Sequence, residues 1–168
     1  MGCDIHMFIE YKSKGGDYWY SFGSEIRGNR NYFIFGLLAQ GVRSHNPQGL
    51  MPKGWPSDAG SSATDGNYLY VTDSKGEYYV TPEIAKKWVE EGMSEYKDEN
   101  QHFVSNPDWH SHSWLTAEEY NTQIQLYLHY TNMVLYGWKE PEYTAIDAIL
   151  KHFTEQDLDC RVLFYFDN

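Results

Sequence analysis

Two alternating stretches decide the fold, CDIHMFIEY at residues 3–11 and DCRVLFYFD at residues 159–167. In both stretches apolar side chains recur at every second position, which is the period of a β-strand. We expect the first stretch to be a half-buried strand that turns Ile5 and Met7 toward the core. Asp4 and His6 then lie side by side on the face that solvent or a ligand reaches.

The two terminal strands are candidate neighbours in one sheet, although sequence does not set the strand order. If they pair, one face holds the polar residues Asp4, His6, Arg161, Tyr165 and Asp167.

The chain between these strands predicts a mixture of strands and helices. Thr81-Pro82 is typical of a helix start, and this helix is expected to end near Gly92. Thr116 and Glu119 have the spacing of a capping box, so another helix is expected just after Thr116. The apolar stripe of that helix consists of Tyr120, Ile124, Tyr127, Tyr130, Met133 and Val134. The other predicted elements are a strand at residues 18–22, a short helix at 32–40, a β-hairpin at 67–81 and a helix at 142–153.

The order of these elements does not alternate between strand and helix. It therefore predicts an α+β fold with a mainly antiparallel sheet and about three helices of useful length. Residues 41–66 are rich in Gly, Pro, Ser and Asp and show no period, so we expect a long irregular loop, which is usually functional. The length of 168 residues favours one domain over residues 1–168.

Composition excludes several classes of protein. A hydrophobic share of 41% and an aromatic share of 17% are ample for a folded core. Thirteen basic against twenty-four acidic residues give a net charge of −11, which opposes general binding to nucleic acid. The sequence has no apolar run of membrane-spanning length and no secretory leader. Cys3 and Cys160 are too few for a disulfide scaffold, so we expect reduced thiols and a cytoplasmic location.

The segment His110-Ser111-His112-Ser113 is the leading candidate for a polar site. In an extended loop, His110 and His112 point the same way, as ligation of a metal or contact with a phosphoryl group requires. A loop that ends at a helix start also offers free N–H groups to an anion. The alternative interpretation is structural: the hydroxyl groups cap the helix and the imidazoles hydrogen-bond the loop.

Asp4 and His6 form a second candidate pair. Together with His110 and His112 they would offer nitrogen and oxygen ligands to a divalent ion such as zinc or manganese. Without a metal, the same groups would make a two-histidine phosphoester site, with one imidazole as general base and another as general acid. The plainer alternative is that Asp4 and His6 belong to the solvated face of an ordinary strand.

Five motifs carry a resemblance to a known family: residues 1–6 (MGCDIH), 30–32 (RNY), 41–43 (GVR), 52–56 (PKGWP) and 110–116 (HSHSWLT). On these motifs the chain resembles a family of uncharacterised bacteriophage and prophage proteins. The resemblance implies a bacterial cytosolic setting and links polar positions that are far apart in sequence, but it implies no catalytic assignment. The linked residues are Asp4, His6, Arg30, Arg43, His110 and His112.

Three functions follow as hypotheses. The first is a hydrolase of a phosphorylated or nucleotide-like small molecule, with His110, His112, Asp4 and His6 as metal ligands or acid–base groups. Ligand-binding positions would be Arg30, Arg43, Ser113 and Trp114, because guanidinium, hydroxyl and indole groups suit such a ligand. The second is a binding protein that sequesters a host nucleotide signal without chemistry. The third is an acidic inhibitor of a basic host protein, suggested by the charge of −11.

Overall fold

A computed structural model describes residues 2–133 and 140–168, and Val134 of the predicted helical stripe therefore lies outside the described residues. Eight strands are described: β1 (Asp4–Ser13), β2 (Tyr20–Ser21), β3 (Ile26–Gly28), β4 (Leu69–Val71), β5 (Tyr79–Val80), β6 (Phe103–Val104), β7 (His110–Thr116) and β8 (Leu158–Asp167). Five helices are described: α1 (Tyr32–Leu38), α2 (Ser61–Asp65), α3 (Pro82–Glu90), α4 (Ala117–Met133) and α5 (Pro141–Glu155). The α+β prediction is confirmed, although the helices outnumber the three expected.

The main sheet is antiparallel and has five strands. Its order is β2-β1-β8-β7, and β3 also pairs with β1, along the half of that strand that β2 leaves free. The two terminal strands are neighbours over their whole length, from Asp4 opposite Asp167 to Ser13 opposite Leu158. This long pairing brings the two ends of the described chain together.

One face of the main sheet packs against α1, α4 and α5. Ile5, Met7 and Ile9 of β1 meet Phe164 and Phe166 of β8 there, and all five side chains are buried. The capping box of α4 forms as expected, because Thr116 Oγ1 accepts from Glu119 N at 3.2 Å and Glu119 Oε2 accepts from Thr116 N at 2.9 Å.

The apolar stripe of α4 is shorter than the sequence suggested. Tyr120, Ile124 and Tyr127 are fully buried, whereas Tyr130 is 46% exposed and Met133 is 70% exposed. The last turns of α4 therefore extend past the core.

The opposite face of the sheet is covered too, which corrects the prediction of a half-buried first strand. His6 is 1% exposed and Glu10 is 0% exposed, so solvent does not reach this face of β1 between His6 and Glu10. Trp55 and Ala63, from the segment expected to be an irregular loop, pack over it. That segment also contains α2, which its composition did not indicate.

The predicted hairpin at residues 67–81 is wrong. β4 and β5 pair in parallel, with Tyr70 opposite Tyr79 and Val71 opposite Val80. The connection over residues 72–78 is long enough to carry the chain back, which a tight hairpin turn would not do. β6 completes this small sheet on the other side of β4. None of the described helices has the length and apolar character needed to cross a membrane.

Candidate functional site

His6 lies at the centre of a buried polar cluster on the covered face. Its Nδ1 is 2.8 Å from Glu25 Oε1 and its Nε2 is 3.2 Å from Asp167 Oδ2. Glu25 also accepts hydrogen bonds from Arg27 Nε, at 2.7 Å, and from the hydroxyl of Tyr78. We call His6, Glu25 and Asp167 the His6 triad.

The His6 triad favours the protonated, positively charged imidazole. Burial by itself lowers the pKa of His6, but the hydrogen bonds and charges of Glu25 and Asp167 outweigh it, so the pKa is raised. Burial raises the pKa of Glu25, yet the hydrogen bonds from His6 and Tyr78 lower it to about 2. Both ring nitrogens of His6 are occupied, so in this state it is a bridging group and has no free nitrogen for catalysis.

Asp4 does not join the triad through its side chain. Its carboxylate forms an ion pair with Arg30, including a bond of 2.7 Å from Nη2 to Oδ2, at the protein surface. The hydrogen bond from Arg30 lowers the pKa of Asp4. Two predicted site residues, Asp4 and Arg30, therefore neutralise each other.

β7 separates the two histidines that the sequence placed together. A bulge lies between His110 and Ser113, and Ser111 within it has a φ of 53°, a left-handed conformation uncommon outside glycine. The His110 ring lies against Phe166, with centroids 6.0 Å apart, whereas the His112 ring stacks on Tyr165 at 5.4 Å. Phe166 and Tyr165 are neighbours in β8 and therefore point to opposite faces of the sheet. The two imidazoles that contact them lie on opposite sides of the sheet. The expectation that they point the same way is wrong.

His110 lines a polar cavity of about 520 Å³, which we call the His110 pocket. His110 Nδ1 is 3.0 Å from Ser111 Oγ, and its buried Nε2 has no hydrogen-bond partner among the described residues. Arg43 also lines this cavity and, like Ser111, has a positive φ, of 57°. Burial lowers the pKa of His110, so its imidazole is neutral at neutral pH and can accept a proton.

His112 lines a different cavity of about 430 Å³, which we call the His112 pocket. The His112 ring meets Trp55 edge to face, with centroids 5.9 Å apart. Burial, with a smaller contribution from the nearby His110, lowers the pKa of His112 to about 4. The imidazole is therefore uncharged at neutral pH.

The remaining predicted ligand-binding residues lie outside both cavities. Ser113 is buried and its Oγ accepts a hydrogen bond from Lys53 N at 3.1 Å. The Lys53 ammonium lies over the Trp114 ring, 4.2 Å from the ring centroid. Both side chains are engaged by Lys53.

The four residues expected to bind a divalent metal do not fit one ion. Both nitrogens of His6 face carboxylates, Asp4 faces Arg30, and His110 and His112 line separate cavities. In residues 2–133 and 140–168, no group of three or more His, Cys, Asp or Glu side chains is arranged around a common point that would suit a metal. We therefore derive no chemistry through zinc or manganese.

A further cavity, of about 890 Å³, lies beside Arg161, whose guanidinium is paired with two carboxylates. Arg161 is 4% exposed, donates to Glu10 Oε2 at 2.9 Å and to Asp58 Oδ1 at 2.8 Å, and lies 3.9 Å from the ring centroid of Trp19. Through these contacts the Arg161 guanidinium joins the main sheet, at Glu10, to residues 41–66, at Asp58. We therefore interpret this charge cluster as structural.

Sequence reasoning missed Glu25 and Asn168 as members of these sites. Glu25 stands two positions before Arg27 in a stretch without a clear period, so no pattern distinguishes it from surface acids. Asn168 Oδ1 accepts from Arg43 Nη2 at 2.6 Å and helps to hold Arg43 at the His110 pocket.

Comparison of the chain with protein-family models, with curated proteins and with solved structures finds no match. The resemblance to phage and prophage proteins stays a prediction.

Proposed function

We propose that the chain is a hydrolase of a small, nucleotide-like phosphodiester, with the His110 pocket as its active site. The contact of 3.0 Å between His110 Nδ1 and Ser111 Oγ carries the proposal. It places the Ser111 hydroxyl, as nucleophile, within hydrogen-bond distance of the neutral His110 imidazole, as base. The two-histidine mechanism expected from the sequence is not retained, since His112 lies on the other side of the sheet.

Charge favours a diester over a monoester. The His110 pocket is lined by one cation, Arg43, and by one carboxylate, Asp108. A phosphodiester carries one negative charge, which one guanidinium can pair, whereas a monoester dianion would meet excess negative charge in a protein of net charge −11. Arg43 Nη2 bonds Asn168 at 2.6 Å, which holds the guanidinium at the cavity.

The proposed reaction has two displacements. Ser111 Oγ attacks phosphorus as His110 Nδ1 takes its proton, the bond to the first alcohol breaks, and that alcohol leaves with the proton from His110. Water then attacks the phosphorus of the seryl phosphodiester as His110 Nδ1 takes its proton, and the bond from phosphorus to Ser111 Oγ breaks. Ser111 Oγ regains its proton from His110, and the phosphomonoester leaves. The positive φ values of Arg43 and Ser111 support the proposal, because strained backbone is concentrated at functional sites.

Turnover of bis(p-nitrophenyl) phosphate and of 2′,3′-cyclic nucleotides by the whole protein tests this function. We expect His110→Ala and Ser111→Gly each to lower kcat by roughly 10²–10⁴-fold. Glycine suits the positive φ at position 111, so the second variant removes the hydroxyl without adding strain. His102→Ala is the matched control, because His102 is exposed and lies outside the His110 pocket. Equal turnover in all four proteins would refute the proposal.

A non-catalytic binding protein at the same pocket is the second candidate. One observation favours it: no carboxylate of the described residues hydrogen-bonds His110, so the base lacks the orienting partner of most catalytic triads. Binding of a cyclic nucleotide that is recovered intact after prolonged incubation, and that is lost in Arg43→Ala, would support this candidate over the hydrolase.

A further inference from the structure

The His112 pocket contains buried polar groups that the fold leaves unpaired. Asn67 is 7% exposed, and its Oδ1 accepts no hydrogen bond from any described residue. Trp55 Nε1 is likewise buried and has no acceptor in the described part of the chain. Each unpaired buried group costs about 1–3 kcal/mol, so two of them on residues that line one cavity require an explanation.

We propose that the His112 pocket binds the uncharged heteroaromatic ring of a nucleobase, with Trp55 Nε1 donating to the ring edge and Asn67 Oδ1 accepting from it. A base edge carries an acceptor beside a donor, which is the complement of this pair. The proposal does not depend on the hydrolase, since it concerns another cavity and other residues.

The walls of the cavity suit a flat ring. Trp55, Tyr68, Trp109 and His112 all line it, and its volume of about 430 Å³ is within the range of small-molecule sites, roughly 300–1,000 Å³. Aromatic walls stack on a base through its π-face, whatever the identity of the base. The polar pair then supplies the orientation that stacking lacks.

The charge of the cavity favours an uncharged ligand. Glu95 lines it, and no Lys or Arg is among the described residues that do so. Lys97 lies nearby but packs over the Tyr68 ring, 4.6 Å from the centroid. His112 adds no charge at neutral pH, because burial lowers its pKa to about 4. A phosphate inside this cavity would have Glu95 beside it and no cation.

Calorimetric titration of the whole protein with adenosine, guanosine, cytidine and uridine tests the site. We expect at least one nucleoside to bind, and we expect Asn67→Leu and Trp55→Phe each to weaken that binding by about tenfold, the loss of one hydrogen bond. Trp114→Phe is the matched control, since Trp114 is a half-buried indole outside the cavity, and it should leave the affinity unchanged.

Thermal unfolding of the unliganded variants distinguishes binding from a structural role. Asn67→Leu replaces an unpaired amide by an apolar group of similar shape, so Tm should be unchanged or higher while affinity falls. If no nucleoside binds, or if both variants bind as the wild type does, the proposal is wrong. A fall in the Tm of Asn67→Leu would show that the amide is paired in the folded protein and would equally overturn it.

Discussion

His6→Phe should destabilise the protein by about 3 kcal/mol at slightly acidic pH, because it leaves the carboxylates of the His6 triad without their shared cation. Phenylalanine keeps an aromatic ring against Tyr165, on which His6 stacks at a centroid distance of 4.6 Å. The change therefore removes the two N–H donors and preserves most of the packing. Breaking a buried ion pair costs roughly 3–5 kcal/mol, and the lower end applies because Glu25 keeps its bonds to Arg27 and Tyr78.

The pKa of Glu25 gives a magnitude for the combined effect of its partners His6, Tyr78 and Arg27. Its fall from 4.5 to about 2 corresponds to roughly 3 kcal/mol of stabilisation of the carboxylate, at about 1.4 kcal/mol for each unit. The Glu25 side chain is 14% exposed, so solvent screens this interaction only in part. The hydrogen bond from His6 is the largest of the favourable contributions to that shift.

The pH dependence tests whether loss of the charged His6 imidazole causes the destabilisation of His6→Phe. The folded pKa of His6 is raised above its ordinary value of 6.5, so its contribution to stability is complete below about pH 6.5 and is lost as pH rises through the folded pKa. Urea unfolding followed by circular dichroism, at intervals from about pH 6 to pH 9, measures the difference between wild type and variant. That difference should be largest near pH 6 and should shrink steadily above it.

A matched control is His102→Phe, which removes an exposed histidine 4.0 Å from Asp98 and should change the free energy of unfolding by less than about 0.5 kcal/mol. A difference between wild type and His6→Phe below about 1 kcal/mol, or one that is constant from pH 6 to pH 9, would contradict a buried, charged His6. The first result would mean that the triad is solvated, and the second that His6 is neutral in the folded protein.

The other predictions concern charge burial, capping and titration. Arg161→Met should lower the free energy of unfolding in urea by about 3–5 kcal/mol, because it leaves the fully buried Glu10 carboxylate without its cation. Adding Glu10→Gln to this variant should recover a large part of the lost stability. A loss below about 1 kcal/mol would contradict the burial of this ion pair. Thr116→Ala should cost about 1 kcal/mol by removing the capping box of α4, and an unchanged Tm would argue against it. His112 should titrate near pH 4 in an NMR pH series, whereas an ordinary value near 6.5 would show that its cavity is wet.

The α+β fold was predictable because the terminal strands and the helix starts are local patterns. The alternation at residues 3–11 and 159–167, the Thr81-Pro82 start and the Thr116 capping box each depend on a few neighbouring residues. Period and capping chemistry act over one or two turns, so they can be recognised in sequence without knowledge of the tertiary contacts.

The site was predictable only as a set of residue types. Sequence identified His6, His110 and His112 as notable, but assumed that an extended segment turns His110 and His112 the same way. The bulge at Ser111 and the pairing of β7 with β8 place them on opposite faces instead. A bulge depends on the register with a partner strand more than forty residues away, and no local pattern encodes that register.

The sequence pattern predicted the two terminal strands, the helices α1, α3, α4 and α5, and the placement of Asp4 and His6 on one side of the first strand. Tertiary packing buries this side of β1, places Glu25 and Asp167 against separate nitrogens of His6, and brings His110, Ser111 and Arg43 to the wall of one cavity. The physical reason is that secondary structure follows from interactions between near neighbours along the chain. Burial, pKa and the pairing of charges depend on which distant segments pack together.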